Sequence, residues 1–504
     1  MHQTYSQMRS WLRWAIPALS CEQQTLRMKP PHRLARTSRA TILVLMLYLE
    51  AISAFGQALA PVTFVGNPHL GTGVHFWQGW DYHELLPIIE KSGLGWVRDE
   101  IGWEQTEKEK GVYGISEDTM AWIHAVHAHH LRLLLILNSN GGNPIYDDHF
   151  DSAAYARWAA WTVAQLKGDI DAVEILNEPD NFGFMKFYGG TADGEGNSPW
   201  VAKFVSFTNH AAEAIKAANP ALPVIGYEDM PVTYKIMTLG MTAAVDGMVD
   251  HPYSNNLVPE TVPEPPTAEQ MKIHGFIYTD DKRTFASYIQ GMRKRSAEYH
   301  GPKQIWLTEW GYSTFQPIRK IEFGGFTEDA QAKYIVRHYV EDLGLGVDVS
   351  VQYDFHDDGE DPHNVEDHFG MVHQDGAPKP SYGAVQNMTR VFAPYRRAQD
   401  GEVGEVKITP AVCWAEQAPI AEYRFVSAQG QPAVAIWGTD RADGDLQPRV
   451  ADLELEWGTG IKRIVAVDTL TGHADSLAFM QEGDRLILKT VTILDHPVLI
   501  EAVN

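Results

Sequence analysis

The sequence predicts an α/β fold, a (β/α)8 TIM barrel followed by a small C-terminal antiparallel β-sandwich. Three observations predict it. From about residue 68 to residue 392, short apolar runs alternate with amphipathic segments, the pattern of parallel strands joined by helices. The apolar runs number eight, enough to close a barrel. Past Tyr395 the helical period stops, and short runs of alternating polarity follow, separated by glycine turns, as in an antiparallel sandwich.

In chain order, strands are expected near Thr72–Phe76, Trp96–Glu100, Leu131–Leu137, Ala172–Leu176, Val224–Tyr227, Gly247–Asp250, Gln304–Thr308 and Ser350–Asp354. Each is a run of Val, Ile, Leu or aromatic residues, as a strand buried on both faces requires. Amphipathic helices are expected over Ala153–Lys167, Val201–Ala218 and Asp329–Leu343, where apolar residues recur on one face. Long connections follow the fourth strand (Asp180–Pro199) and the sixth (Ser254–Pro266); loops of this length at a barrel mouth shape a groove or are solvated insertions. In the C-terminal part, Ala421–Val426, Ala433–Trp437, Ala451–Trp457, Arg463–Asp468, Asp484–Lys489 and His496–Ala502 read as strands. The implied division is a signal region over 1–56, a barrel over 57–395 and a bracing sandwich over 396–504.

The N-terminal region resembles an export signal. Arg33, Arg36 and Arg39 precede the apolar run Ile42–Leu49, and Ser53, Ala54 and Gly56 follow; a basic stretch, a short apolar core and a small-residue cleavage site make a secretory signal. Met28 is the expected true start. The run is short for a bilayer span and ends at Glu50, so a secreted or periplasmic chain without stable membrane insertion is expected. The cysteines are Cys21 and Cys413. A chain trimmed of its signal keeps one of them and forms no internal disulfide.

The 504 residues are 44% hydrophobic and 21% charged, with a formal net charge of −24. Such composition supports a large core, and the negative charge argues against a nucleic-acid partner.

Two carboxylates stand at the ends of apolar strands. Glu178 lies in Glu174-Ile175-Leu176-Asn177-Glu178-Pro179, and Glu309 in Ile305-Trp306-Leu307-Thr308-Glu309-Trp310. A carboxylate there is costly unless paired or solvated in a cleft. On a barrel, the C-terminal ends of all strands open on one mouth, so Glu178 and Glu309 would share a cleft. Paired carboxylates across a cleft are the equipment for cleaving a glycosidic bond.

With these residues the chain resembles clan A retaining glycoside hydrolases, most closely family 39, whose members include β-xylosidases and exopolysaccharide hydrolases. Further matches are Arg98 on the second strand, and His251 and Tyr253 in Asp250-His251-Pro252-Tyr253. The resemblance implies that Glu178 is the acid/base, kept protonated by its neighbours, and Glu309 the nucleophile. Arg98 and Tyr253 would support Glu309, and Asn177 would bind the sugar 2-hydroxyl. A bland reading pairs Arg98 with Asp99 or Glu104 instead. Trp77, Trp103 and Trp310, nearest the strand ends, are the expected sugar-stacking rings, and Asn138, Tyr353 and His356 are expected at the sugar subsite. The third strand ends in Asn138 and Asn140 where some relatives carry histidine, and the eighth offers Tyr353 and His356 where many carry tryptophan. A family 5-like endoglucanase and a non-catalytic carbohydrate-binding protein on the same barrel stay open as alternatives. The expected partner is a carbohydrate substrate; no cofactor and no metal are called for.

Overall fold

A computed structural model describes residues 64–181, 183–192, 198–227, 232–318, 324–410, 419–442 and 449–503. The signal region lies outside the described residues.

Eight parallel strands form a closed barrel in sequence order. They are β1 (Asn67–Gly73), β2 (Leu94–Gly102), β3 (Arg132–Asn138), β4 (Ala172–Ile175), β5 (Val224–Gly226), β6 (Gly247–Asp250), β7 (Gln304–Leu307) and β8 (Val349–Gln352). Closure is made where β1 pairs β8, with Gly71 opposite Val351. β1 begins and ends earlier than the sequence predicts, because its partners Trp96–Arg98 and Ser350–Gln352 match residues 70–73. The long helices are Ser152–Gln165, Pro199–Ala218 and Glu328–Leu345, each within a few residues of expectation. Their starts are set by local chemistry: Asp151 and Thr327 accept from the backbone N–H groups of Ala154 and Ala330, satisfying donors the first turn leaves open. Among the described residues no helix is long and apolar enough to cross a membrane.

The barrel interior is plugged by Trp96, Leu134, Ala172, Ile225, Val249, Trp306, Val349 and Val351. Trp96 and Trp306 meet edge to face across it, ring centroids 5.3 Å apart. Gly247 leaves the room this needs: a Cβ there would lie 2.8 Å from the Trp306 ring.

The C-terminal part is two antiparallel sheets. Strands β9 to β18 follow in order: Tyr395–Arg397, Val406–Pro410, Ile420–Ser427, Pro432–Gly438, Arg449–Leu455, Arg463–Asp468, Ala474–Leu477, Met480–Glu482, Arg485–Ile493 and Val498–Val503. One sheet has the order β10-β13-β17-β16, the other β15-β14-β18-β12-β11-β9. Alternation along β12 buries both faces of the larger sheet. Val434 and Ile436 join the core between the sheets, while Ala433, Ala435 and Trp437 join the core shared with the barrel helices. The same contact carries buried charge: Arg337, from the barrel, donates through Nε to Glu260 Oε1 at 2.8 Å, and Trp437 donates to the same oxygen at 2.6 Å.

Candidate active site

Side chains on a strand alternate between faces, so two residues beyond each plug residue the chain points inward again, one layer nearer the mouth. Trp96 is followed by Arg98, Ala172 by Glu174, Val249 by His251, Trp306 by Thr308 and Val351 by Tyr353. An apolar layer thus gives way to a polar one at the C-terminal ends of the strands. That layer floors a cavity of about 790 Å³ whose lining includes Arg98, Asn138, Asn177, Glu178, Tyr253, Glu309 and Tyr353.

Arg98 is the hub. Its Nε donates to Glu174 Oε2 at 2.7 Å and its Nη2 to Glu174 Oε1 at 3.0 Å. Nη2 also donates to Asn177 Oδ1 at 2.7 Å, and Nη1 to Glu309 Oε1 at 2.6 Å. Asp99, offered by the bland reading as its partner, instead accepts from the backbone N–H groups of Trp77 and Glu100, at 3.1 and 2.8 Å. Glu104 is likewise occupied elsewhere, accepting from Ser139 at 3.2 Å. Glu174 is a site residue that sequence reasoning missed; the signal was present as a lone carboxylate inside the apolar strand Ala172–Ile175.

Glu309 also accepts from the Tyr253 hydroxyl, at 3.1 Å. Burial, reinforced by the Glu309 charge, holds the Tyr253 phenol well above its ordinary range, so it remains a proton donor. Across the cavity, Glu178 Oε1 lies 3.2 Å from His251 Nδ1, and Asn181 donates to Glu178 Oε2 at 2.9 Å. One oxygen each of Glu178 and Glu309 and a nitrogen of His251 lie within 4.8 Å of one another. The backbone bends sharply to deliver Glu178: Leu176 and Glu178 have φ of 62° and 42°, a left-handed conformation that costs a residue with a side chain about 1–3 kcal/mol.

The protonation of Glu178 departs from expectation. Burial alone would raise its pKa, but the bond and charge of His251, the Asn181 amide and Arg98 outweigh burial and lower it to about 2. Its neighbours therefore favour the carboxylate rather than keeping it protonated. The hydrogen bonds show where the proton goes. Thr308 spends its single hydroxyl proton on Glu174, at 3.1 Å, so it accepts from His251 Nε2 at 3.0 Å. With Nε2 carrying a hydrogen, the Nδ1 to Glu178 contact holds one proton, bound to either partner.

The other expected contacts divide. Asn138 lines the cavity, donates to Glu100 and accepts from Asn177 N–H at 3.3 Å. Tyr353 lines it as well. Trp103 and Trp310 do not reach it; both are fully buried. Trp103 packs on Trp158 and Tyr155 and donates to Glu107 at 2.5 Å. Trp310 lies flat on His338, centroids 3.9 Å apart, and donates to Ser350 at 2.9 Å. β7 ends at Leu307, so Glu309 and Trp310 lie past its alternation; Trp310 turns onto the helix residues His338 and Tyr339, and the expectation of sugar stacking is corrected to core packing for both rings. Trp77 is half-buried and lies outside the cavity lining; His356 also lies outside it, 3.0 Å from the Gln374 carbonyl through Nε2. The rings that do line the cavity are His75, Tyr253, Phe315, Phe326, Tyr353 and Phe369.

No family model and no curated protein matches the chain. Solved structures do. A family 39 glycoside hydrolase from Bacteroides cellulosilyticus aligns with a TM-score of 0.63 at 18% identity, covering 87% of this chain and 81% of that one. A glucosidase from Croceicoccus marinus aligns at 0.53 and 16% identity, over 88% and 97% of the two chains. The catalytic domain of a family 30 xylanase C from Talaromyces cellulolyticus aligns at 0.52 and 12%, over 88% and 98%. The likeness is one of fold. It includes a member of the family whose motifs the sequence resembles, and it spans barrel and sandwich together.

Proposed function

We propose that this chain is a retaining β-glycoside hydrolase acting on an oligo- or polysaccharide. One observation carries the reading: Glu178 and Glu309 face each other across one cavity with oxygens within 4.8 Å. That spacing suits the retaining geometry, in which the carboxyl groups stand about 5–5.5 Å apart, and is too close for the roughly 6.5–9.5 Å that an inverting enzyme needs for its water.

Glu309 is the nucleophile. Arg98 and Tyr253 donate to its two oxygens, which orients the carboxylate toward the anomeric carbon. Attack forms a glycosyl ester on Glu309 as the bond to the leaving oxygen breaks. The leaving oxygen takes the proton shared by Glu178 and His251, delivered through Glu178, which restores it by accepting a proton from the water that cleaves the ester. Asn177, held by Arg98, is set to bind the sugar 2-hydroxyl, a contact that strengthens in the transition state. Export rests on the basic and apolar pattern of residues 33–56.

Glu178→Gln and Glu309→Gln test the reading, with an aryl β-glycoside panel as substrate and NMR of the released anomer. Turnover should fall by about 10²–10⁴-fold, and the parent should release the β-anomer first. Undiminished turnover in either variant, or an inverted product, overturns the assignment.

A further inference from the structure

We propose that His75, Asp354 and Asp358 form a binding site for one divalent metal ion of the zinc or manganese type, tying together the ends of β1 and β8 at the closure seam of the barrel. One nitrogen of His75 and one oxygen from each aspartate lie within 4.8 Å of one another, the spread of donors around a single ion.

The observation that points to a ligand is Asp354. Its residue is 0% exposed, and neither carboxylate oxygen has a hydrogen-bond partner among the described residues. His75 Nε2, also buried and without a hydrogen-bond partner, lies 3.6 Å from Asp354 Oδ2, an ion pair when the imidazole is protonated but too far for a hydrogen bond. A buried carboxylate without hydrogen bonds is costly, and native proteins answer with a donor or an ion. Asp99 adds its charge beside His75. Three carboxylates around one imidazole leave a negative excess that a divalent ion offsets.

The surroundings hold the candidate ligands as metal sites usually do. The Gln78 amide meets His75 Nδ1 at 3.2 Å. Since the two ends of an amide exchange by a flip, its oxygen can accept from Nδ1–H and leave the Nε2 lone pair for the ion, the usual way a ligating histidine is fixed. Trp80 Nε1 donates to Asp358 Oδ1 at 3.0 Å, orienting the carboxylate and leaving Oδ2 for the ion. The rings of Trp80 and Tyr353 pack edge-on against His75, at 4.8 and 5.6 Å. A nitrogen with two carboxylate oxygens suits ions at home with both donor types, with water completing the shell. Asp358 is exposed and gives the ion its entry. Because His75 and Tyr353 also line the substrate cavity, the ion would fix that wall without taking part in bond cleavage.

The test uses the full chain, stripped with chelator and dialysed, then titrated separately with Zn²⁺, Mn²⁺ and Ca²⁺ while bound metal and thermal midpoint are recorded. Parent protein should bind one equivalent of Zn²⁺ or Mn²⁺, with a rise in midpoint that grows with metal concentration. Asp354→Asn and the surface variant Asp358→Asn should each weaken binding by at least about tenfold, and Glu178→Gln should keep it. Asp358→Asn keeps the test decisive if Asp354→Asn fails to fold. No bound equivalent in the parent overturns the proposal, as does binding that survives in Asp358→Asn or is lost in Glu178→Gln.

Discussion

Arg98 Nη1 donates to Glu309 Oε1 at 2.6 Å while the rest of the same guanidinium grips Glu174 and Asn177. One buried cation thus links the strand-two layer, the motif at the end of β4 and the residue proposed to attack the sugar. Glu174 is almost wholly buried, and Arg98 is its ion-pair partner. Arg98→Met should leave two buried carboxylates uncompensated, a loss of about 3–5 kcal/mol, and should abolish turnover. Urea unfolding alongside kinetics checks both; a variant as stable as the parent would show that Glu174 is satisfied some other way.

The Glu178–His251 pair makes a prediction about acid stability. Glu178 titrates near 2 against an ordinary value of 4.5. A depressed carboxylate contributes stability that is complete above the ordinary value and is lost as pH falls through the folded one, here between about 4.5 and 2. In His251→Ala, burial is opposed only by the remaining donors, so the Glu178 pKa rises. The stability difference between pH 5 and pH 3 should then shrink relative to the parent. Urea midpoints at the two pH values measure it, with Glu178→Gln as the reference lacking the titration altogether.

Tyr253→Phe removes the hydroxyl that Glu309 Oε2 accepts at 3.1 Å and changes little else in shape. A hydrogen bond to a charged group contributes about 1.5–3 kcal/mol, so kcat/KM should fall roughly 10–100-fold while the folded state persists. Steady-state kinetics with an aryl β-glycoside and a near-ultraviolet spectrum separate this from misfolding. An unchanged kcat/KM would remove Tyr253 from the nucleophile's support.

The barrel and its polar layer were legible because strand period and strand order are written in local sequence. Eight apolar runs in alternation with helices placed Glu178 and Glu309 at one mouth, the family resemblance added Arg98, His251 and Tyr253, and the structure brings all five together there. Ring orientation was less legible. Trp103 begins a short helix and Trp310 lies past the end of β7, so proximity to a strand end did not mean facing the cavity; beyond the last strand residue, alternation no longer tells which way a ring turns. The cavity rings Phe315, Phe326 and Phe369 come from loops with no period to read. The same holds for β15 and β16, which are short and mostly exposed. Their strand state is imposed by pairing with β14 and β17, a contact between segments that carries no local signature.

The sandwich should be inseparable from the barrel. Phe425, Ala433, Trp437, Val465 and Leu499 belong to the barrel's own core cluster, and Phe392 of the last barrel helix meets Phe425 edge-on at 4.9 Å. Beneath them Arg337, fully buried, pairs Glu260 and donates to the Asp440 carbonyl at 2.7 Å. A chain ending at residue 395 would expose this apolar face and strip Glu260 of the Trp437 donor. It should be recovered insoluble or unfold at a markedly lower temperature than the full chain. Trp437→Ala, which keeps every residue of the barrel, should destabilise the whole molecule by about 3–5 kcal/mol in a single transition, because both parts share one core. Calorimetry decides between the readings: two separated transitions in the parent, or an unaltered barrel midpoint in Trp437→Ala, would show that the barrel folds on its own and that the sandwich does not brace it.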